Sequence, residues 1–388
     1  MFVAKKKDGE FVTLLYMKKE DIREKWRKEK FFCPACNAEV IPKLGEKKRF
    51  HFAHVKKECA TSSESESLYH LEGKRMLYEL LKPSGEIALE YYVKETNQRA
   101  DLLFKKDEKT YAIEFQCSPI SLSSIQRRTL LYESQNIIPI WIISKERFRS
   151  LKTFTSINST NWYFLQKNDK LKFPYFISFC PLENKFTYIF PFCPISTQKT
   201  FITMYKSKKL FINEFQNLPP LPVWKTQWLQ YKRNWRYEYC LYSQLHHLKR
   251  FCYNKYGIPL SLIPSVIGIP VKDQYVIETP LIEWQLYIYF RCIHKTPANS
   301  IINLYSVHQQ FLKLENNKKI KLRSLPLIKD RNTTVPIKSY LTILSGLGIL
   351  EDLGNNNFKK KENPTIPSSI EQAMKEDEKV LSRLVLSF

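Results

Sequence analysis

Residues 137–144 (Ile-Ile-Pro-Ile-Trp-Ile-Ile-Ser) form a short, almost wholly apolar run, the pattern of a buried strand. Upstream, stretches near 87–94, 99–105 and 110–117 also read as strands, and Pro119 breaks the last of them. Between that break and the apolar run, Leu122, Ile125, Thr129 and Tyr132 fall on one stripe, which predicts a helix over 121–135. The Thr-Ser-Ser-Glu-Ser-Glu segment at 61–66 is rich in N-cap residues, so a helix should run from about 65 to 81 and stop before Pro83-Ser84-Gly85. The order helix, strand, strand, strand, helix, strand predicts a compact α/β core of roughly 90 residues over 61–150.

The flanks pattern differently. Residues 1–60 read as a small basic module: a strand at 12–16, a charged helix at 20–30, and a hairpin around Lys43-Leu44-Gly45. Residues 151–205 alternate aromatics with Pro and Cys and look strand-rich. Residues 206–388 look mostly helical, with a loose linker expected at 355–361 and a capping box, Ser368 with Glu371, ahead of a last helix.

Charge narrows the partner. Among 388 residues, 62 Lys and Arg stand against 38 Asp and Glu, a net +24 that favours a polyanion, most simply nucleic acid. The start Met-Phe-Val-Ala-Lys-Lys-Lys reaches charge too soon for a secretory signal, and no apolar run is long enough to insert in a membrane. Nine cysteines, odd in number and irregularly spaced, do not suit a disulfide scaffold. A reducing cytoplasm is expected, where clustered cysteines point to metal.

Five constellations carry chemistry. Cys33-x-x-Cys36 with His54 and Cys59 has the ligand types of a tetrahedral structural zinc site, with His51 as an alternative ligand. Asp101 and Glu114 sit among apolar neighbours on adjacent predicted strands of a hairpin, and Gln116 shares the face of Glu114. A carboxylate there is costly unless paired or metal-bound. Two of them make a hard-oxygen site for Mg²⁺ or Mn²⁺, such as phosphodiester cleavage requires. Glu66, His70 and Lys74 follow i, i+4, i+8 on one side of the first helix. That side either faces the acids, with Glu66 on metal or water and His70 and Lys74 near phosphate, or is simply solvated. Arg128 stands one helical turn before Tyr132 and could hold a phosphate or pair with Glu114. Finally, Trp224, Trp228, Tyr231 and Trp235 are interleaved with Lys225, Lys232, Arg233 and Arg236. Their helical spacing makes a core stripe the stronger reading over base stacking, with the basic residues left on the other face for phosphate.

Taken in order, these residues resemble the competence protein CoiA family. The resemblance rests on Cys33-Pro34-x-Cys36, His51-Phe52-Ala53-His54, Cys59, the Glu66/His70/Lys74 helix and Arg99-Ala100-Asp101. It continues through Ile113-Glu114-Phe115-Gln116-Cys117-Ser118, Arg128-Thr129-x-x-Tyr132 and Pro139-Ile140-Trp141-Ile142, and covers roughly residues 1–145. It implies an α/β fold with a restriction-endonuclease-like core of the PD-(D/E)xK type, a mixed sheet flanked by helices. A zinc-ribbon-like N-terminal module and a mostly helical C-terminal region would complete the chain. Asp101 and Glu114 then match the two metal-binding acids, and Gln116 replaces the superfamily's lysine. The resemblance also implies action after DNA uptake, when RecA recombines imported single strands. The expected function is a metal-dependent deoxyribonuclease on single-stranded or branched DNA. The alternative is a non-catalytic mediator that holds DNA for a recombinase, and charge alone leaves RNA open as a substrate.

Overall fold

The computed structural model describes residues 1–26, 28–45, 49–55, 67–148, 150–167, 173–211 and 224–384, the side chain of Lys25 apart. Two compact units emerge. The first comprises Met1–Arg149, Tyr163–Ile189 and Met204–Asn217; the second comprises Ser150–Trp162, Phe190–Thr203 and Leu218–Phe388.

The first unit opens with β1 (Val3–Lys6), β2 (Phe11–Thr13), α1 (Lys19–Lys25), β3 (Phe31–Phe32), β4 (Glu39–Lys43) and β5 (His51–His54). The strands form an antiparallel sheet in the order β2-β1-β3-β4-β5. Its core is small: Met1, Ala4, Leu14, Ile22, Phe31, Cys33, Val40 and Phe52. A core of this size benefits from an additional staple. The alternation at β1 and β3 is too short to read without knowing their partners, and neither strand was expected.

The α/β part follows with α2 (Leu68–Leu81), β6 (Glu86–Leu89), β7 (Tyr92–Val93), β8 (Gln98–Arg99), β9 (Leu102–Lys106), β10 (Lys109–Gln116), α3 (Leu122–Glu133) and β11 (Ile137–Ser144). Next, β12 (Phe154–Ser156) and α4 (Ser159–Trp162) belong to the second unit, and β13 (Phe176–Cys180) returns to the first. The division between units falls within β14 (Lys185–Pro194) and β15 (Lys199–Ser207). Within the first unit the sheet runs β14-β13-β11-β10-β9-β6. It is mixed: β11 lies parallel to both β10 and β13, and the other pairs are antiparallel. That central place explains the unbroken apolar run of β11.

Two helices cover the sheet. Ser67 caps α2 by accepting from His70 N at 3.2 Å, and Ser121 caps α3 by accepting from Ser124 N at 3.2 Å. On α3, Ile125, Thr129 and Tyr132 are buried, as their spacing requires. On α2, Gly73 lets the helix lie directly on β10: a Cβ there would stand 2.0 Å from Cε1 of Phe115.

The second unit continues with α5 (Trp224–Asn234), a π-helical turn (Trp235–Tyr239), α6 (Cys240–Tyr242), α7 (His246–Tyr256), α8 (Leu281–Ile288) and a second π-helical turn (Tyr289–His294). It ends with β16 (Ile301–Asn303), α9 (Leu304–Asn316), α10 (Thr334–Gly346), β17 (Leu350–Asp352), β18 (Asn357–Lys360) and α11 (Ile370–Arg383). The expected linker at 355–361 is instead the turn and strand of a hairpin. Asn355 and Asn356 take left-handed φ values of 49° and 61°, and β18 pairs with both β16 and β17. The last cap is shifted by one residue, since Ser369 rather than Ser368 accepts from the helix, at 3.2 Å from Gln372 N.

Candidate active site

Backbone pairing sets the two acids across from each other. Leu102 of β9 pairs with Ile113 of β10, so Asp101, one residue before β9, stands across from Glu114. Glu114 points at α3. It is buried, and its Oε1 accepts from the Tyr132 hydroxyl at 2.5 Å and from Arg128 Nη2. The same Nη2 donates to the Arg99 carbonyl at 3.3 Å, two residues from Asp101. Phe115 points the other way, onto Tyr69 and His70 of α2.

Asp101 sits at the corner between these layers. Its Oδ2 accepts from Phe115 N at 2.9 Å and lies 3.4 Å from His70 Nε2, while its Oδ1 is 3.8 Å from Lys74 Nζ. The geometry is therefore a shared corner at the sheet, not a flat two-acid face: Asp101 is anchored from α2 and Glu114 from α3. Gln116, next along the face of Glu114, is buried and donates through Nε2 to Ser118 O at 3.0 Å, where the chain leaves β10.

The environment separates the two carboxyls. Burial opposes the charge of Asp101, yet His70, Lys74 and the Phe115 N–H hold it well below the usual carboxylate range. Burial pushes Glu114 up to about 7; Arg128 and Tyr132 offset part of that rise, and the Asp101 charge adds to it. Burial also works against the Arg128 guanidinium, but the Glu114 carboxylate more than compensates and raises it. Two acids whose protonation is pushed apart are a pattern of functional sites.

A residue that the sequence reading passed over organises one side of this site. Glu90, with φ of 51°, is buried; its Oε2 accepts from Phe2 N at 2.7 Å and Val3 N at 2.9 Å, and its Oε1 pairs with Lys74. The only signal was a lone acid between Leu89 and Tyr91. Lys74 is consequently fully buried. This corrects its expected role on phosphate: it is an internal cation that joins β1 to the Asp101 corner. Glu66 lies outside the described residues.

In the N-terminal sheet, the donor atoms of Cys33, Cys36 and His54 all lie within 4.8 Å of one another, with Cys36 Sγ 3.3 Å from His54 Nε2. Two thiols and an imidazole converging in this way suit zinc. Cys59 lies outside the described residues. His51 is outside this group of three; its Nδ1 hydrogen-bonds the Arg49 carbonyl at 2.8 Å.

In the second unit, Trp224, Trp228 and Trp235 are buried, as a core stripe should be. The expectation for the basic residues is half corrected. Lys232 and Arg236 are also fully buried, both paired with Asp377, and contact no solvent through which phosphate could approach. Lys225 and Arg233 are exposed. Among the described residues no helix is long and apolar enough to cross a membrane.

The chain thus combines a basic N-terminal sheet module with a thiol–imidazole cluster, a mixed α/β sheet with paired acids, and a larger C-terminal region. The α/β part falls in residues 66–219, which match the family described as competence protein CoiA, nuclease-like domain. Residues 14–62 match the competence protein CoiA N-terminal domain, and 223–374 its C-terminal domain. The chain is also 29% identical over 343 residues to the competence protein CoiA of Bacillus subtilis (strain 168), covering 85% of this chain and 89% of that protein. It belongs to the competence protein CoiA family. No solved structure matches it.

Proposed function

We propose that the protein is a Mg²⁺- or Mn²⁺-dependent deoxyribonuclease acting on single-stranded or branched DNA, in the cytoplasm, where RecA recombines imported strands. The observation that carries the reading is the cross-strand placement of Asp101 and Glu114 at one corner of the sheet, with their protonation pushed apart. The donor set is hard oxygen, which fits either ion. Asp101 and Glu114 would hold it, and when bound it would neutralise phosphate charge and acidify a water. Gln116 lies along the Glu114 face, where its amide can orient that water. His70 keeps Asp101 ionised, and Arg128 supplies the positive charge that an amide at position 116 lacks. In this reading 1–60 is a zinc-binding basic module, 61–150 the PD-(D/E)xK-type nuclease, 151–205 a strand-rich extension and 206–388 the mostly helical remainder.

A second reading, a DNA-holding recombination mediator without cleavage, is favoured by one observation: Arg128 already neutralises Glu114, as a metal would. One experiment separates the two. The protein is incubated with single-stranded, duplex and branched DNA under a titration of Mg²⁺ and Mn²⁺. Products should form only with the ion. Tight, salt-sensitive binding without products under any ion would leave the mediator. The pH dependence adds a check: Glu114 must be ionised to hold a cation, and its carboxyl sits near 7. Apparent Mn²⁺ affinity should fall about tenfold per unit below pH 7 and level off above pH 8. Affinity flat between pH 5.5 and 8 would remove Glu114 from the site.

For the N-terminal module, elemental analysis should find about one zinc per chain, and Cys36→Ser should lose it together with the module's stability. Full zinc retention in that variant would refute the site.

A further inference from the structure

The tryptophans of α5 are packed in the core, but a second set of aromatics just beyond them faces solvent. Tyr239, Tyr242 and Tyr253 are 53%, 84% and 64% exposed. On α7, Leu248 and Cys252 take the buried side, while His246, Arg250 and Tyr253 follow i, i+4, i+7 along the outer one. Lys249 Nζ donates to the carbonyls of Leu241 and Ser243, at 3.2 Å each, and so ties α7 to the end of α6 that carries Tyr242. The tyrosines therefore stand on three consecutive elements, the π-helical turn, α6 and α7, the last two joined by a polar clamp.

Cations outnumber acids around them. Between residues 224 and 256, Glu238 is the one acid against seven Lys and Arg. Of those, Lys225, Arg233, Arg250 and Lys255 are exposed. Two acids are brought in from other elements: Glu283 is engaged with His247 at 3.0 Å, and Glu371 of α11 accepts from the Tyr237 hydroxyl at 3.0 Å. Scattered exposed aromatics carry no meaning. Three exposed tyrosines with exposed cations on the same run of helical elements have the composition of a surface on which bases stack while the backbone is held by charge.

We propose that this face of the second unit binds single-stranded nucleic acid, with Tyr239, Tyr242 and Tyr253 stacking on bases and Arg233, Arg250 and Lys255 contacting phosphates. The proposal stands apart from the catalytic reading, because it uses none of the residues around Asp101.

The test uses the full chain carrying Asp101→Asn, without added divalent ion, so that cleavage plays no part. Fluorescence anisotropy compares a labelled oligothymidine with an abasic strand of the same length at several salt concentrations. The parent should bind the oligothymidine more tightly. Replacing the three tyrosines by Ala should remove that preference, at roughly tenfold per stacked base, and leave abasic binding unchanged. The three Tyr→Phe replacements should keep it. Arg250→Gln and Lys255→Gln should each lower the salt slope by about 0.7. Equal parent affinity for the two strands, or an Ala variant that melts and binds like the parent, would overturn the proposal.

Discussion

Asp101→Asn is expected to reduce metal-dependent cleavage about 10³-fold, the loss of roughly 4 kcal/mol of transition-state stabilisation, while the protein stays folded. The substitution is nearly isosteric and keeps an oxygen to accept from Phe115 N, now at 2.9 Å from Oδ2. What it removes is the charge. Asp101 is the carboxyl held ionised at every working pH, so it supplies the permanent negative charge of the site. Lys74 is not orphaned, because Glu90 still pairs with it. Asp101→Ala is a harsher probe, since it also strands the Phe115 N–H at a cost of about 1–3 kcal/mol. Glu114→Gln should lose activity to a similar degree. It also leaves Arg128 without its carboxylate, so part of its effect is on the fold. Initial rates on single-stranded DNA, paired with circular dichroism, separate these contributions. Cleavage by Asp101→Asn within a few fold of the parent would show that the paired acids are not the site.

How much of this was legible follows from which interactions are local. Helix α2, helix α3 and strand β11 were readable because their periodicity lies within their own residues, although the cap of α2 is Ser67, one residue past the 61–66 run expected to supply it. The pairing of Asp101 with Glu114 was readable because a hairpin's register follows from neighbouring segments. Glu90 was not, because its partners Phe2 and Val3 lie 88 and 87 positions away. Nor was β18, whose partner β16 is more than 50 residues upstream and whose turn looks like a polar linker. The basic stripe of α5 and the π-helical turn after it misled for the same reason. Lys232 and Arg236 have the spacing of an exposed face, and only a carboxylate 141 residues beyond Arg236 makes it favourable to bury them.

That carboxylate makes Asp377→Ala the most damaging single substitution expected in the second unit, costing about 3–5 kcal/mol. Asp377 on α11 receives Arg236 in a two-pronged pair, Nε to Oδ2 at 2.8 Å and Nη2 to Oδ1 at 2.9 Å, and Lys232 at 3.4 Å. Carbonyls of Ser261, Ile263 and Ile267 take further donors of the two cations. Removing the one anion leaves two buried positive charges facing only dipoles. Lysine can escape by releasing its proton: burial already lowers Lys232 to about 8, with Asp377 offsetting part of that fall. Lysine in the unfolded chain holds its proton to about 10.4. The unfolded state therefore binds more protons between these values, and stability must rise with pH across that window. Without Asp377 that support is lost and Lys232 falls further, so the variant should recover part of its deficit as pH rises toward 8, and above 8 both chains gain stability in parallel. The acid side has the opposite sign. Asp377 is held below its ordinary value; burial opposes this, and Lys232 and Arg236 outweigh it. Its contribution is thus complete above about pH 4 and lost as pH falls further, so the parent should lose stability there more steeply than the variant. Urea denaturation of the full chain at pH 3, 6, 7 and 9.5 reads these regimes. A loss below 1 kcal/mol at pH 7 would mean that water reaches the triad and that α5 and α11 are held by apolar packing alone.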